Sequence, residues 1–169
     1  MTFYAEISGP WGPLLLVTDG DRLTGLYFSG GRHAPRVAPD WRRAPDAALA
    51  TTVARQLGEY ASGRRREFDV PIAMSGTPFQ RAVWEEILRI PYGGTVSYGT
   101  LARSAGNGRA VRAAGAATGR NPIAIIVPCH RVVGSDGRLT GYAGGLERKR
   151  ALLALESGGA AGPAGSLAF

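Results

Sequence analysis

The chain of 169 residues holds one cysteine, Cys129, and two histidines, of which His130 follows the cysteine directly. A thiol beside an imidazole has the parts of a nucleophile. Thiolate is the reactive form, and a free thiol with a pKa of ~8.5 supplies little of it at neutral pH unless a base helps. The pair stands in NPIAIIVPCHRVVG, residues 121 to 134. Neighbours on an extended chain point to opposite sides, so His130 needs a bend or a bridging water to reach the sulfur. A base also needs a group to orient it, and the nearest downstream carboxylates are Asp136, Glu147 and Glu156. A solitary cysteine is more often a small core hydrophobe. Against that stand the proline before it, the histidine after it and the charge around it.

The net charge is +7 and is unevenly placed. Met1 to Gln80 carries nine basic and eight acidic residues, whereas Arg81 to Arg150 carries eleven and four. Between Glu86 and Asp136 there are six arginines and no acid. A field of one sign draws a polyanion, and nucleic acid is the first candidate. Nineteen arginines to one lysine also reflect compositional bias, but bias does not remove acids. One cysteine can form neither an internal disulfide nor a structural zinc site. No apolar run approaches the ~20 residues of a membrane span. MTFYAEISGPWG lacks the basic and then apolar pattern of a secretory signal. The expectation is a reduced, cytoplasmic chain with no metal, no cofactor and no membrane association.

The elements that must position the thiol can be read from pattern. FYAEIS, PLLLVT and RLTGLYFS alternate as strands, separated by turn residues. Asp46 is expected to cap a helix to about Ala61 that buries Leu49, Val53, Leu57 and Tyr60, and EFDVPIAM reads as a further strand. His33 lies in a Gly/Pro-rich loop and reads as solvated. Thr77 and Pro78 open a helix to about Arg89 that buries Phe79, Val83, Trp84, Ile87 and Leu88. Ser97 caps a short helix, residues 104 to 108 form a turn, and a second helix spans about Arg109 to Gly119, which together suggest a helix-turn-helix. That second helix is nearly all Ala and Gly, with Arg112 its one long central side chain. It is either a buried packing helix or a face that approaches DNA closely and sends one arginine into the duplex. IAIIV reads as a buried strand ended by Pro128, a glycine-marked loop follows, and LERKRALLALE reads as an amphipathic helix.

Pro128-Cys129-His130-Arg131, with GRNPIAIIV before it and VVGSDGRLTGYAGGLERKRALLALE after it, resembles the O6-alkylguanine-DNA alkyltransferase family. The resemblance is dense from about Thr77 to Glu156 and looser before. It implies an α+β fold: a small N-terminal, ribonuclease-H-like sheet with a helix, packed on a C-terminal helical domain with a winged helix-turn-helix. The implied bounds are 1–75, 76–157 and a flexible tail, 158–169. The implied activity is DNA repair by direct reversal, in one irreversible transfer of an alkyl group from O6 of a flipped-out guanine to Cys129. O4-alkylthymine is a second candidate substrate.

The resemblance also assigns roles. His130 is the base acting through a water, Glu156 orients it, and Asn121 holds the turn beneath the site. Arg112 is the finger that fills the vacated base position. Tyr98 presses on the phosphate, and Tyr98, Tyr142, Ala143 and Val132 surround the extruded base. Gly99, Asn107, Ala110, Val111, Ala113 and Gly115 join Arg112 and Tyr98 at the DNA. The implied partner is double-stranded DNA carrying O6-alkylguanine, bound by a monomer, with cooperative assembly left open. Two departures stand out. Ala143 replaces the serine some members have near O6, and the N-terminal metal ligands of some members have no counterpart. The rival readings are a non-catalytic lesion sensor or DNA-binding regulator, and a thiol hydrolase.

Overall fold

The computed structural model describes residues 1–158, so the tail expected over 158–169 lies outside the described residues apart from Gly158. The chain divides into two units. The first takes in Met1–Ser75 and, from later in the chain, Pro122–Ala124; the second takes in Gly76–Asn121 and resumes at Ile125.

The first unit is a four-stranded sheet in the order β3-β2-β1-β4. Its strands are β1 (Phe3–Gly9), β2 (Gly12–Thr18), β3 (Leu23–Phe28) and the short edge strand β4 (Arg42–Arg43). The antiparallel β1–β2 hairpin closes at Gly9 and Gly12, and Gly12 takes a φ of 120°, a conformation glycine reaches without a Cβ clash. Helix α1 (Ala48–Ala61) buries Ala50, Val53, Leu57 and Tyr60, while Leu49 is only half-buried. Asp46 does not cap it. Ala47 holds the cap position with no side-chain bond, and Asp46 lies one residue too early to reach the first free amides.

Two expected strands are single bridges instead. In EFDVPIAM only Ile72 pairs, with Leu23. The backbone of Asp69 is already taken by Gln56, whose amide donates to the Asp69 carbonyl (3.2 Å) and accepts from its N–H (2.9 Å), and Pro71 has no N–H to give. In IAIIV only Ile123 pairs, with Leu26. The chain then turns through Ile125, whose φ of 71° is a rare conformation for a β-branched residue. The stretch is buried as its composition predicts, with Ile123, Ile125, Ile126 and Val127 all in the core.

The second unit opens with α2 (Pro78–Leu88), started by a full capping box in which Thr77 and Gln80 satisfy each other's backbone amides. It buries Val83, Trp84 and Ile87, leaving Phe79 half-buried and Leu88 exposed. Helix α3 (Tyr98–Ser104) is capped by Ser97, whose hydroxyl accepts from the Thr100 amide. Helix α4 (Val111–Gly119) starts later than expected, because Asn107 Oδ1 takes the Arg109 amide (3.2 Å) and prolongs the turn. Trp84 Nε1 donates to the Ala117 carbonyl (2.8 Å) and ties α2 to α4. A two-stranded parallel sheet, β5 (Val96–Ser97) with β6 (Val132–Val133), sets the segment after the cysteine beside the start of α3. Helix α5 (Leu146–Glu156) ends the described part. It is not simply amphipathic, because Lys149 and Glu156 are buried along with Leu152, Leu153 and Ala154.

Candidate active site

Cys129 does not end a strand. It opens a single 3-10 turn, Cys129–Arg131, and is 5% exposed. The Asn121 side-chain amide donates both to the Val127 carbonyl (2.8 Å) and to Cys129 Sγ (3.0 Å). One amide thus closes the turn through Ile125 and holds the sulfur. Burial pushes the Cys129 thiol up from its ordinary pKa; the Asn121 bond and the charge of Lys149 oppose that shift more weakly. The resting group is therefore a thiol, and it needs a base at the moment it attacks.

The turn carries His130 inward, where it is fully buried. Its Nε2 lies 2.8 Å from Glu156 Oε2, at the end of α5. Its Nδ1 is buried without a hydrogen-bond partner among the described residues. Burial lowers the His130 pKa, and the Glu156 carboxylate pulls the other way. A neutral imidazole results. An ionised Glu156 can only accept, so the proton sits on Nε2 and the lone pair on Nδ1.

Glu156 has a second cation. Arg131 Nε donates to Oε1 (2.7 Å) and Nη2 to Oε2 (2.8 Å), a bidentate pair, while Nη1 donates to the Ile90 carbonyl (2.6 Å). The Arg131 guanidinium also lies over the Tyr92 ring, 5.8 Å from its centroid. Lys149 is wholly buried, and its ammonium donates to the carbonyls of Val132 (2.6 Å), Thr140 (2.9 Å) and Gly141 (3.4 Å). It therefore pins the loop that carries Tyr142 and Ala143 to the strand after the cysteine. Burial lowers its pKa to about 8.

Tyr98 and Tyr142 flank the thiol closely enough that charge on Cys129 would raise both phenol pKa values, which burial has already lifted. Tyr98 opens α3 and has the Lys149 ammonium 6.0 Å from its ring centroid. Val132 is fully buried in β6, and Ala143 is half-buried. Helix α4 turns Ala114, Ala117 and Thr118 inward and leaves Val111, Arg112, Ala113 and Ala116 exposed. Gly115 faces Tyr98, since a Cβ there would stand 3.8 Å from the ring. Gly99 and Ala110 are half-buried, and Asn107 is exposed.

Comparisons with known proteins identify the family of the chain. A family model described as the DNA binding domain of 6-O-methylguanine DNA methyltransferase matches residues 78–158. A second, the ribonuclease-like domain of the same proteins, matches residues 2–74. The methylated-DNA--protein-cysteine methyltransferase of Mycobacterium tuberculosis is 48% identical over 156 residues, 92% of this chain and 93% of the relative. The chain belongs to the 6-O-methylguanine DNA methyltransferase family. The protein of the same name from Methanosarcina acetivorans is 46% identical over 154 residues, 91% of this chain and 97% of its own. The crystal structure of Mycobacterium tuberculosis OGT in complex with DNA superposes with a TM-score of 0.86 at 45% identity, covering 98% of each chain. The family's α+β fold, a ribonuclease-like sheet followed by a helical DNA-binding domain, is the fold of this chain.

Of the residues picked out by the family resemblance, one hydrogen bond joins Asn121 to Cys129 and another joins His130 to Glu156, and Tyr98 and Tyr142 lie around the sulfur. Arg112 makes no bond to them; it stands on the exposed face of α4. Sequence reasoning missed Arg131 and Lys149. It counted Arg131 among six arginines of a DNA-facing field, but Arg131 is buried against Glu156, and only Arg89, Arg103, Arg109, Arg112 and Arg120 are exposed. Lys149 did carry a signal. It shares the face of Leu152, Leu153 and Glu156 at helical spacing, so a charge sits on the buried stripe. Among the described residues no cluster of His, Cys, Asp and Glu could hold a metal ion, and no helix is long and apolar enough to cross a membrane.

Proposed function

We propose that this chain repairs alkylated DNA by moving the alkyl group from O6 of guanine to Cys129, once per molecule. In the step, Cys129 Sγ attacks the alkyl carbon, the carbon–O6 bond breaks, and guanine regains its carbonyl. The thiol proton leaves through a water to His130 Nδ1 and is returned to the purine, so charge balances. The thioether has no good leaving group, which makes a single turnover chemically sensible. The observation that carries the reading is the buried thiol on the Asn121 amide beside a histidine whose far nitrogen is held by Glu156.

The base must leave the stack to reach a buried sulfur, at a cost of a few kcal/mol. The exposed, small-residue face of α4 suits close approach to the duplex, with Arg112 to fill the vacated position and Tyr98 to press on the phosphate. Asn107, Gly99, Ala110, Val111, Ala113 and Gly115 line that approach. Tyr142, Val132 and Ala143 surround the flipped base, and with no serine at 143 a backbone N–H there supports developing charge on O6. The working partner is double-stranded DNA bound by a monomer. A thiol that must stay reduced suits the cytoplasm.

Whole-protein mass after mixing with duplex containing O6-methylguanine tests the reading. A gain of about 14 Da, one methyl for one proton, is expected at one equivalent. Unchanged mass with intact lesion points to a sensor, and lesion loss without a mass change points to a hydrolase; either sinks the proposal.

A further inference from the structure

The transfer chemistry uses Cys129, His130 and Glu156 and leaves Arg131 without a task, yet Arg131 is one of the most heavily bonded side chains of the second unit. Its fork covers both oxygens of Glu156, and its remaining nitrogen is fixed on the Ile90 carbonyl. The Glu156 side chain is 1% exposed and that of Arg131 is 9% exposed. A carboxylate so buried takes up a proton unless something balances its charge. If Glu156 were protonated, it could donate to His130 Nε2 and drive the imidazole into the opposite tautomer. If Glu156 were charged but unbalanced, it would draw a proton onto His130 and make an imidazolium. Both states lose the lone pair on Nδ1, the nitrogen left without a protein partner.

We propose that Arg131 is a positioning residue for the transfer: by holding Glu156 charged and balanced, it keeps His130 neutral with its proton on Nε2 and its lone pair on Nδ1. The assignment rests on the alkyl-transfer reading for its activity test but not for its structural test. The groups acting on His130 are Glu156 and Lys149 from α5 and Arg131 from its own turn; Glu156 favours the charged ring, while burial, Arg131 and Lys149 oppose it. Of the two cations, only Arg131 touches the carboxylate. Lys149 spends its bonds on the carbonyls of Val132, Thr140 and Gly141. Arginine is suited to the place because it cannot give up its proton and its planar fork matches a carboxylate edge.

The experiment is nitrogen NMR of the His130 ring, alongside transfer rate against pH, in the full chain and in Arg131→Met and Arg131→Lys. The wild type is expected to show a neutral ring protonated on Nε2 across roughly pH 6–8. In Arg131→Met the ring should become imidazolium in that range, and the acid limb of the rate profile should move up by about 1–2 pH units. Arg131→Lys, which restores one contact and the charge, should recover part of the shift. A wild-type imidazolium or Nδ1-protonated ring would overturn the proposal, and this reading needs no variant to fold. So would an unshifted profile in a folded variant that still transfers methyl, which leaves the alkyl-transfer reading standing. A wild type that gains no methyl sinks that reading alone, since the ring's tautomer still reports on Arg131.

Discussion

Around Cys129 the polar side chains are buried and bonded in two sets: Asn121 to the sulfur, and His130 and Arg131 to Glu156. On the outer face of α4, Val111, Arg112, Ala113 and Ala116 are exposed, and none has a side-chain bond among the described residues. The two regions belong to one unit, and under the proposed function they meet different demands. A proton relay works best when its side chains are held in place by their own hydrogen bonds, so its members are fixed before substrate arrives. A surface for a polyanion needs close approach and a field, and a smooth face with one long side chain supplies both.

Removing the sulfur should separate the two most sharply. Cys129→Ser is expected to abolish alkyl transfer while duplex affinity stays within about twofold, because phosphate contacts carry the affinity. Transfer surviving in this variant would show that the nucleophile lies elsewhere. The next effect is on the relay. His130→Phe should slow transfer by about 10²–10⁴-fold at neutral pH, with the gap narrowing at alkaline pH where the thiol ionises unaided. Equal rates across roughly pH 6–9 would remove His130 from the chemistry.

Arg112→Ala tests the other side of the comparison. It should slow repair in duplex by about tenfold or more, since part of a flipping cost of a few kcal/mol goes uncompensated. Reaction with free O6-benzylguanine, which needs no flipping, should hold within about twofold. Equal slowing of both substrates would mean that α4 acts through the thiol rather than through DNA.

The smallest effect is on stability. His130 titrates lower in the folded chain than its ordinary 6.5, so below that value the unfolded chain binds the proton first. Folding stability should therefore fall as pH drops from 6.5 towards the folded value, by at most about 1.4 kcal/mol per pH unit from this group. Urea titrations should show that slope in the wild type and its loss in His130→Phe. A slope unchanged by the substitution would place the acid sensitivity elsewhere.

What could be read from sequence follows the range of the forces involved. Capping at Thr77 and Ser97 and the end of α5 at Glu156 are local, and each lies where the residues predict it. Whether an apolar stretch pairs as a strand depends on partners far away in sequence. That is why IAIIV, buried as expected, became a turn through Ile125 held by the Asn121 amide, and why EFDVPIAM lost its ladder to Gln56. The thiol, its histidine and its carboxylate were legible through a short motif and its family resemblance. Arg131 was not, because an arginine in a basic run looks the same in sequence whether it faces water or a buried carboxylate.

Lys149 is the one lysine of the chain, and it is wholly buried under three carbonyls. Reagents and modifying enzymes that seek lysine amines therefore find no such handle on the folded surface. Acylation at Lys149 would report opening of the loop across residues 140–141 and not ordinary surface exposure. Burial is what lowers its pKa to about 8, so the released amine returns to the ordinary lysine range, and a single acyl mark, followed at alkaline pH, would serve as a clock for that opening.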